Sequence, residues 1–228
     1  MDDGRDLILV HGAWHGAWAW DAVAPMLAAA GHRPIAPELP PRGSDELPAT
    51  LEEHAEVVRD ALRNARSGAV VVAHSYAGLV VQQALSREVE TTIEHIVYVD
   101  AWLGDDGDSL LDLAPPALAR LWREQESGGW LPAPTPQQLG VTEPDQADWL
   151  LPRLLPQPWA TFTGRLRGAS GRHTDRPTAS AIVMEPGNGV PFREFATRHD
   201  LPVTAMAGGH DVLLTHPNEL AKLILDSF

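Results

Sequence analysis

No cysteine occurs among the 228 residues, which excludes a disulfide framework and any thiolate metal site. A cytoplasmic location is the default expectation for such a chain. Basic residues are scarce. Seventeen Lys and Arg stand against 31 Asp and Glu, a formal charge of −14. Nucleic acids and anionic membranes both reward basic surfaces, so neither is expected as a partner. No apolar run approaches the roughly 18 residues of a transmembrane helix. The first residues, Met1 to Asp6, are acidic and lack the basic and apolar regions of a signal peptide. There is no internal repeat. No metal or cofactor is called for, and the expected partner is a small-molecule substrate.

What is present suits a soluble globular protein, with 44% hydrophobic residues and a length that fits one medium-sized domain. Short apolar runs predict strands near 7–10, 33–37, 69–74, 93–100, 179–185 and 202–206. Helical stretches alternate with them, the layout of a mostly parallel sheet covered on both faces. Thr50-Leu51-Glu52-Glu53 is a capping-box start for a helix running to about Arg66, with Gly68 as its stop. Residues 104–176 break this rhythm with many prolines and with Trp122, Trp130, Trp149 and Trp159. That is too long for a bare loop. An inserted helical lid is expected there, with helices at 116–126, 145–151 and 158–166.

The most informative segment is Val70-Val71-Val72-Ala73-His74-Ser75-Tyr76-Ala77-Gly78-Leu79. A β-branched strand ends on a serine flanked by small residues, and a helix-compatible stretch follows. This is the layout of a nucleophile elbow, with alanines at 73 and 77 in place of the glycines of G-x-S-x-G. A buried strand followed by a serine N-cap has the same local pattern. His74 is expected to point away from Ser75, because successive strand residues face opposite sides. Upstream, Leu7 to Val10 runs into His11-Gly12-Ala13-Trp14-His15-Gly16-Ala17-Trp18. An acyl-transfer serine needs backbone donors for its oxyanion, one from the residue after it and one from an early His-Gly loop. Tyr76 and Ala13 are the candidates. Near the other end, Pro202 to Met206 leads into Ala207-Gly208-Gly209-His210, placing a histidine after the last strand. His210 is therefore the candidate general base, and His199 and His216 are expected to be loop or helix-end residues.

These three segments, together with Ala30-Gly31-His32, resemble the α/β-hydrolase family. The nearer likeness is to the small branch of plant methylesterases, hydroxynitrile lyases and related bacterial esterases. The resemblance implies one α/β-hydrolase domain over 1–228, with a core at about 1–103 and 177–228 and the lid at 104–176. It also implies a Ser-His-acid triad, with Ser75 and His210 in the first two roles. The family usually places its acid after the penultimate strand, but Pro186-Gly187-Asn188-Gly189-Val190-Pro191 contains no aspartate. Two candidates remain: Asp100, at the carboxyl end of the 93–100 strand, and Glu185. Asp100 is favoured because catalytic groups collect outside the carboxyl ends of parallel strands. Trp14 and Trp102 are the candidate substrate-binding residues.

The expected function is serine-dependent hydrolysis of a small, largely apolar ester, thioester or lactone. Activity should rise with pH as His210 gives up its proton. A cyclase or lactone-forming role in secondary metabolism uses the same chemistry with an internal acceptor. Lyase chemistry ranks lower. The hydroxynitrile-lyase relatives carry a lysine just past the catalytic histidine, where this chain has Asp211-Val212-Leu213. A catalytically weak small-molecule-binding protein is the remaining alternative.

Overall fold

The computed structural model describes residues 4–43, 46–87, 89, 91–168 and 177–228. Its strands are β1 (Asp6–Val10), β2 (Arg33–Ile35), β3 (Ala69–His74), β4 (Ile93–Val99), β5 (Trp130–Leu131), β6 (Gln157–Pro158), β7 (Thr178–Glu185) and β8 (Val203–Ala207). Its α-helices are α1 (Ala24–Ala29), α2 (Leu51–Arg63), α3 (Ala77–Ala84), α4 (Leu110–Leu113), α5 (Pro116–Gln125), α6 (Pro144–Leu150), α7 (Trp159–Thr163), α8 (Phe192–Arg198), α9 (Val212–Thr215) and α10 (Pro217–Leu225). The six expected strands lie within a few residues of their predicted positions.

Those six form one sheet in the order β2-β1-β3-β4-β7-β8, and every pairing is parallel. Parallel strands covered on both faces read as continuous apolar runs, which is why Leu7–Val10 and Val70–Ala73 are wholly buried. Alternate residues serve two cores. Ile8, Val10, Val71 and Ala73 face Val58 and Leu62 of α2 and Leu79 of α3. Leu7, Leu9, Val70 and Val72 face Leu27 of α1 and Leu220 and Ile224 of α10. Strand order reverses at β1, since β2 adds on one side of it and β3 on the other. The crevice outside the carboxyl ends of β1 and β3 is thus a natural ligand site.

The α2 capping box forms as expected. The Thr50 N–H donates to the Glu53 carboxylate at 2.8 Å, and the Glu53 N–H donates back to the Thr50 hydroxyl. The helix ends earlier than expected, however. Asn64 caps it, while Gly68 (φ +80°) shapes the later turn into β3.

Between β4 and β7 the chain leaves the sheet. Residues 104–168 form α4 to α7 and the small antiparallel pair β5–β6. Leu110, Trp122, Leu131 and Phe162 join the same core as Tyr76 and Ala13, so this segment packs directly onto the carboxyl edge of the sheet. The expected helices appear at α5, α6 and α7. The last eight residues of the expected insertion, 169–176, lie outside the described residues, as do the first three of the chain.

Candidate active site

Ser75 follows β3 directly, in the left-handed backbone region at φ +57°. Trp14 (φ +65°) and Asp100 (φ +42°), just past the ends of β1 and β4, share that rare conformation. A non-glycine residue held there costs on the order of 1–3 kcal/mol, and such strain concentrates at functional sites. At Ser75 the turn is fastened on both sides. Its N–H donates to the Val99 carbonyl, and its own carbonyl accepts from the Trp102 N–H, both at 3.1 Å. Close packing at this turn depends on Gly78, next to Ala77. A Cβ on Gly78 would lie 2.2 Å from the Trp102 carbonyl oxygen, so only glycine lets α3 approach the chain leaving β4 this closely.

The structure brings Ser75, His210 and Asp100 together. His210 Nε2 is 2.8 Å from Ser75 Oγ, and its Nδ1 is 3.0 Å from Asp100 Oδ2. Asp100 Oδ1 accepts the Met184 N–H at 2.9 Å, and the Asp100 N–H donates to the Ile182 carbonyl at 2.8 Å. Both carboxylate oxygens are therefore engaged, which fixes the edge presented to the imidazole. Phe192 of α8 stacks flat on the His210 ring, with centroids 5.2 Å apart and planes 4° apart. Glu185 goes elsewhere. It is half-exposed and its carboxylate pairs with Arg193 at 2.6 Å.

The loop after β1 crosses close to the serine, for a Cβ added to Gly12 would come within 2.9 Å of Ser75 Cβ. Side chains hold this loop from several directions. The His11 Nδ1–H donates to the Gly12 carbonyl at 2.9 Å, while its Nε2 accepts the Leu39 N–H at 3.0 Å. Burial pushes His11 down to about 3, so it stays neutral and keeps this tautomer. The peptide plane is rigid, so a fixed Gly12 carbonyl directs the Ala13 N–H the opposite way. The Trp14 N–H donates to Gln157 Oε1, and the Leu155 N–H donates to the Trp14 carbonyl, both at 2.9 Å. Tyr76 is wholly buried at the start of α3, its hydroxyl donating to neutral His54 Nδ1 at 3.1 Å.

Trp14 and Trp102 both enter one aromatic cluster. Trp14 lies 5.5 Å from Phe162 and 6.4 Å from Trp122, and Trp102 lies 6.1 Å from Trp122 and 5.4 Å from Phe192. Trp18, by contrast, packs against Trp149 on the wall of a separate cavity of about 480 Å³.

His74 makes no hydrogen bond to Ser75, in keeping with the expectation, and it is part of the site's framework: its Nε2–H donates to the His210 carbonyl at 2.9 Å. Burial, and then the neighbouring His210 ring, hold it well below an ordinary histidine, so it is neutral. His216 is exposed between α9 and α10, and His199 caps α8, both as expected. Sequence reasoning missed Gln157, His15 and Asp211. Gln157 sits among prolines with no local signal, and His15 and Asp211 are 196 positions apart.

Comparison with known proteins agrees with this architecture. A model of the alpha/beta hydrolase family matches residues 7–223. A carbendazim hydrolyzing esterase of Nocardioides sp. (strain SG-4G) is 33% identical over 240 residues, covering 95% of this chain and 97% of that protein. Methylesterase 1 of Arabidopsis thaliana is 35% identical over 109 residues, 44% of this chain and 41% of its own. Among solved structures, an extracellular alpha/beta-hydrolase from a Paenibacillus species superposes with a TM-score of 0.85 over 98% of each chain, at 22% identity. That last likeness is one of fold.

Proposed function

The chain belongs to the alpha/beta hydrolase family and is a hydrolase of the esterase type; from that premise we propose that Ser75 is its nucleophile, His210 its general base and Asp100 the acid that orients the base. The observation that carries this is the unbroken hydrogen-bond chain from Ser75 Oγ through the His210 ring to Asp100, with distances of 2.8 and 3.0 Å. An unaided serine hydroxyl is a weak nucleophile near neutrality, and an adjacent base held in the right tautomer corrects that.

The chemistry then runs in two halves. Ser75 Oγ bonds to the ester carbonyl carbon while its proton passes to His210 Nε2. The carbonyl oxygen becomes an oxyanion, received by the N–H groups of Ala13 and Tyr76, each worth about 3 kcal/mol in comparable enzymes. The tetrahedral centre collapses, the bond to the alcohol oxygen breaks, and the alcohol leaves with the proton held by His210. Water then attacks the acyl-serine, giving its proton to His210, and collapse returns that proton to Ser75 as the acid departs. Asp100 keeps the His210 Nδ1 proton in place and stabilises the imidazolium throughout.

The substrate class is a small, largely apolar ester. Trp14, Trp102, Trp122 and Phe162 form a continuous aromatic cluster in the core that also holds Tyr76 and Ala13, and its apolar character supports an apolar acyl or alcohol group. Within a single domain, residues 104–168 act as a lid, because Gln157 and Leu155 reach from them onto the loop that carries Ala13. Lyase chemistry is disfavoured, since the position after His210 is an aspartate already committed to His15.

The test is a steady-state assay on p-nitrophenyl esters of increasing acyl length, with carbendazim as a further substrate. Ser75→Ala should lose more than about 10³-fold in kcat while its melting curve stays unchanged. Retained turnover in that variant removes Ser75 from the mechanism.

A further inference from the structure

His15 is a buried histidine that the mechanism above does not use. Its Nδ1 lies 2.7 Å from the Ala13 carbonyl and its Nε2 lies 3.1 Å from Asp211 Oδ2. A carbonyl and an ionised carboxylate can only accept, so a ring bonded to both carries a proton on each nitrogen. Burial alone would strip that charge. The facing Asp211 carboxylate outweighs it and holds His15 above the usual histidine range. Asp211 in turn is pulled below the usual carboxylate range by His15, against its own burial. Both partners thus give one charge state, imidazolium against carboxylate.

Other titratable groups surround the pair: His210 faces Asp211, and Glu38 lines a pocket together with His15. The neutral His74 ring stands edge-on to His15 at 6.3 Å, and Trp18 lies 5.2 Å away. Neutral His11 shares the loop, and Asp21 and Asp145 line the cavity that His15 and Asp211 border. Such a pair seldom stabilises a fold more than an apolar pair of equal volume. Here Asp211 Oδ1 also has no hydrogen-bond partner among the described residues, a further cost of burial. The pair's distinctive contribution is geometric. One end grips the carbonyl of Ala13, and the other belongs to the residue directly after His210.

We propose that His15 and Asp211 form a clamp that sets the spacing between the Ala13 oxyanion donor and the His210 base, making both of them positioning residues. This rests on the roles given above to Ser75, His210 and Ala13. The charge state gives the clamp a pH signature. It is intact while His15 is protonated and is lost as pH rises through the raised His15 pKa, so wild-type kcat falls on the alkaline side. Asp211→Asn removes the need for charge. A neutral His15 can still donate from Nδ1 to Ala13 while its Nε2 accepts from the asparagine amide. Asp211→Ala leaves nothing to hold.

The experiment is the pH profile of kcat and KM for p-nitrophenyl acetate, from pH 6 to 10, in wild type, Asp211→Ala, Asp211→Asn and Ser75→Ala. Asp211→Ala should lower kcat about tenfold or more, toward the roughly 10²–10³ lost when an oxyanion donor is removed outright, with KM changed less than about threefold. Asp211→Asn should recover most of that loss and lack the alkaline fall. The isosteric Asp211→Asn carries the test alone if the alanine variant does not fold. An alkaline limb that persists unchanged in Asp211→Asn overturns the clamp, as does wild-type kcat in Asp211→Ala. If Ser75→Ala keeps its turnover, the nucleophile assignment falls and the clamp falls with it. If Ser75→Ala is inactive while the Asp211 variants behave as wild type, the clamp alone is wrong.

Discussion

Gln157 Oε1 accepts the backbone N–H of Trp14 at 2.9 Å, so a side chain from the inserted segment holds the loop that passes over Ser75. The amide nitrogen of Gln157 is itself fixed, donating to Thr161 Oγ1 at 2.8 Å. Trp14 sits at φ +65°, and a strained residue keeps such a conformation only while its surroundings hold it. Gln157→Ala leaves a buried amide without its acceptor, a loss of about 1–3 kcal/mol. Catalytic efficiency should fall roughly tenfold or more on that basis, with the larger share in kcat. A kcat unchanged in the Gln157→Ala assay disconnects the insertion from the loop.

The two carboxylates that compete for the acid role end neighbouring strands, and they separate cleanly by substitution. Asp100→Asn should reduce kcat by about 10³–10⁴, the size seen when an orienting aspartate can no longer hold the imidazole tautomer. Glu185→Gln breaks only a half-exposed pair with Arg193 and should stay within about twofold of wild type, exposed pairs being worth little. The opposite ranking of the two variants assigns the acid to Glu185.

Gly78→Ala tests the turn itself. In a helix interior alanine is favoured over glycine by about 1 kcal/mol. Here the added Cβ would fall 2.2 Å from the Trp102 carbonyl oxygen, a backbone atom with little room to move. The clash should prevail, giving a net destabilisation of about 2 kcal/mol or more in urea unfolding, with loss of ester turnover. A variant as stable and active as wild type means that α3 does not pack this closely.

Acid sensitivity follows from buried neutral histidines. His54 donates from Nε2 to the Pro40 carbonyl at 2.8 Å and accepts at Nδ1 from the Tyr76 hydroxyl, and burial pushes it down to about 4. The unfolded chain binds a proton at His54 near an ordinary pKa of about 6.5, the folded chain only near 4, so stability is full above that upper value and declines as pH falls between them. Urea midpoints should drop from pH 7 to pH 5, and the drop should shrink in His54→Gln. Equal slopes in the two proteins contradict a neutral, buried His54.

Much of this was legible in residue order because the signals are local. Parallel strands buried on both faces announce themselves as apolar runs, and three of these runs lead directly into a residue of the site: His11, Ser75 and Asp100. His210 stood out because glycines and a final strand precede it. Position in the sheet favoured Asp100 over Glu185, but the geometry that separates them was not legible. Both end strands of the same sheet, and the difference lies in the backbone, where the φ +42° turn after β4 swings Asp100 toward His210. Supports that join distant segments were also hidden. Gln157 to Trp14 spans 143 residues and His15 to Asp211 spans 196, and neither has a periodicity to betray it. Gly78 was within view, but the Trp102 carbonyl that makes it necessary belongs to another strand's exit.

The most direct measurement is mass-spectrometric mapping of a fluorophosphonate adduct on the intact protein. The hydrogen-bonded arrangement of Ser75, His210 and Asp100 predicts one stoichiometric adduct on the Ser75 peptide, with ester turnover lost in step with labelling. An adduct on another residue, or full turnover with no adduct, contradicts it.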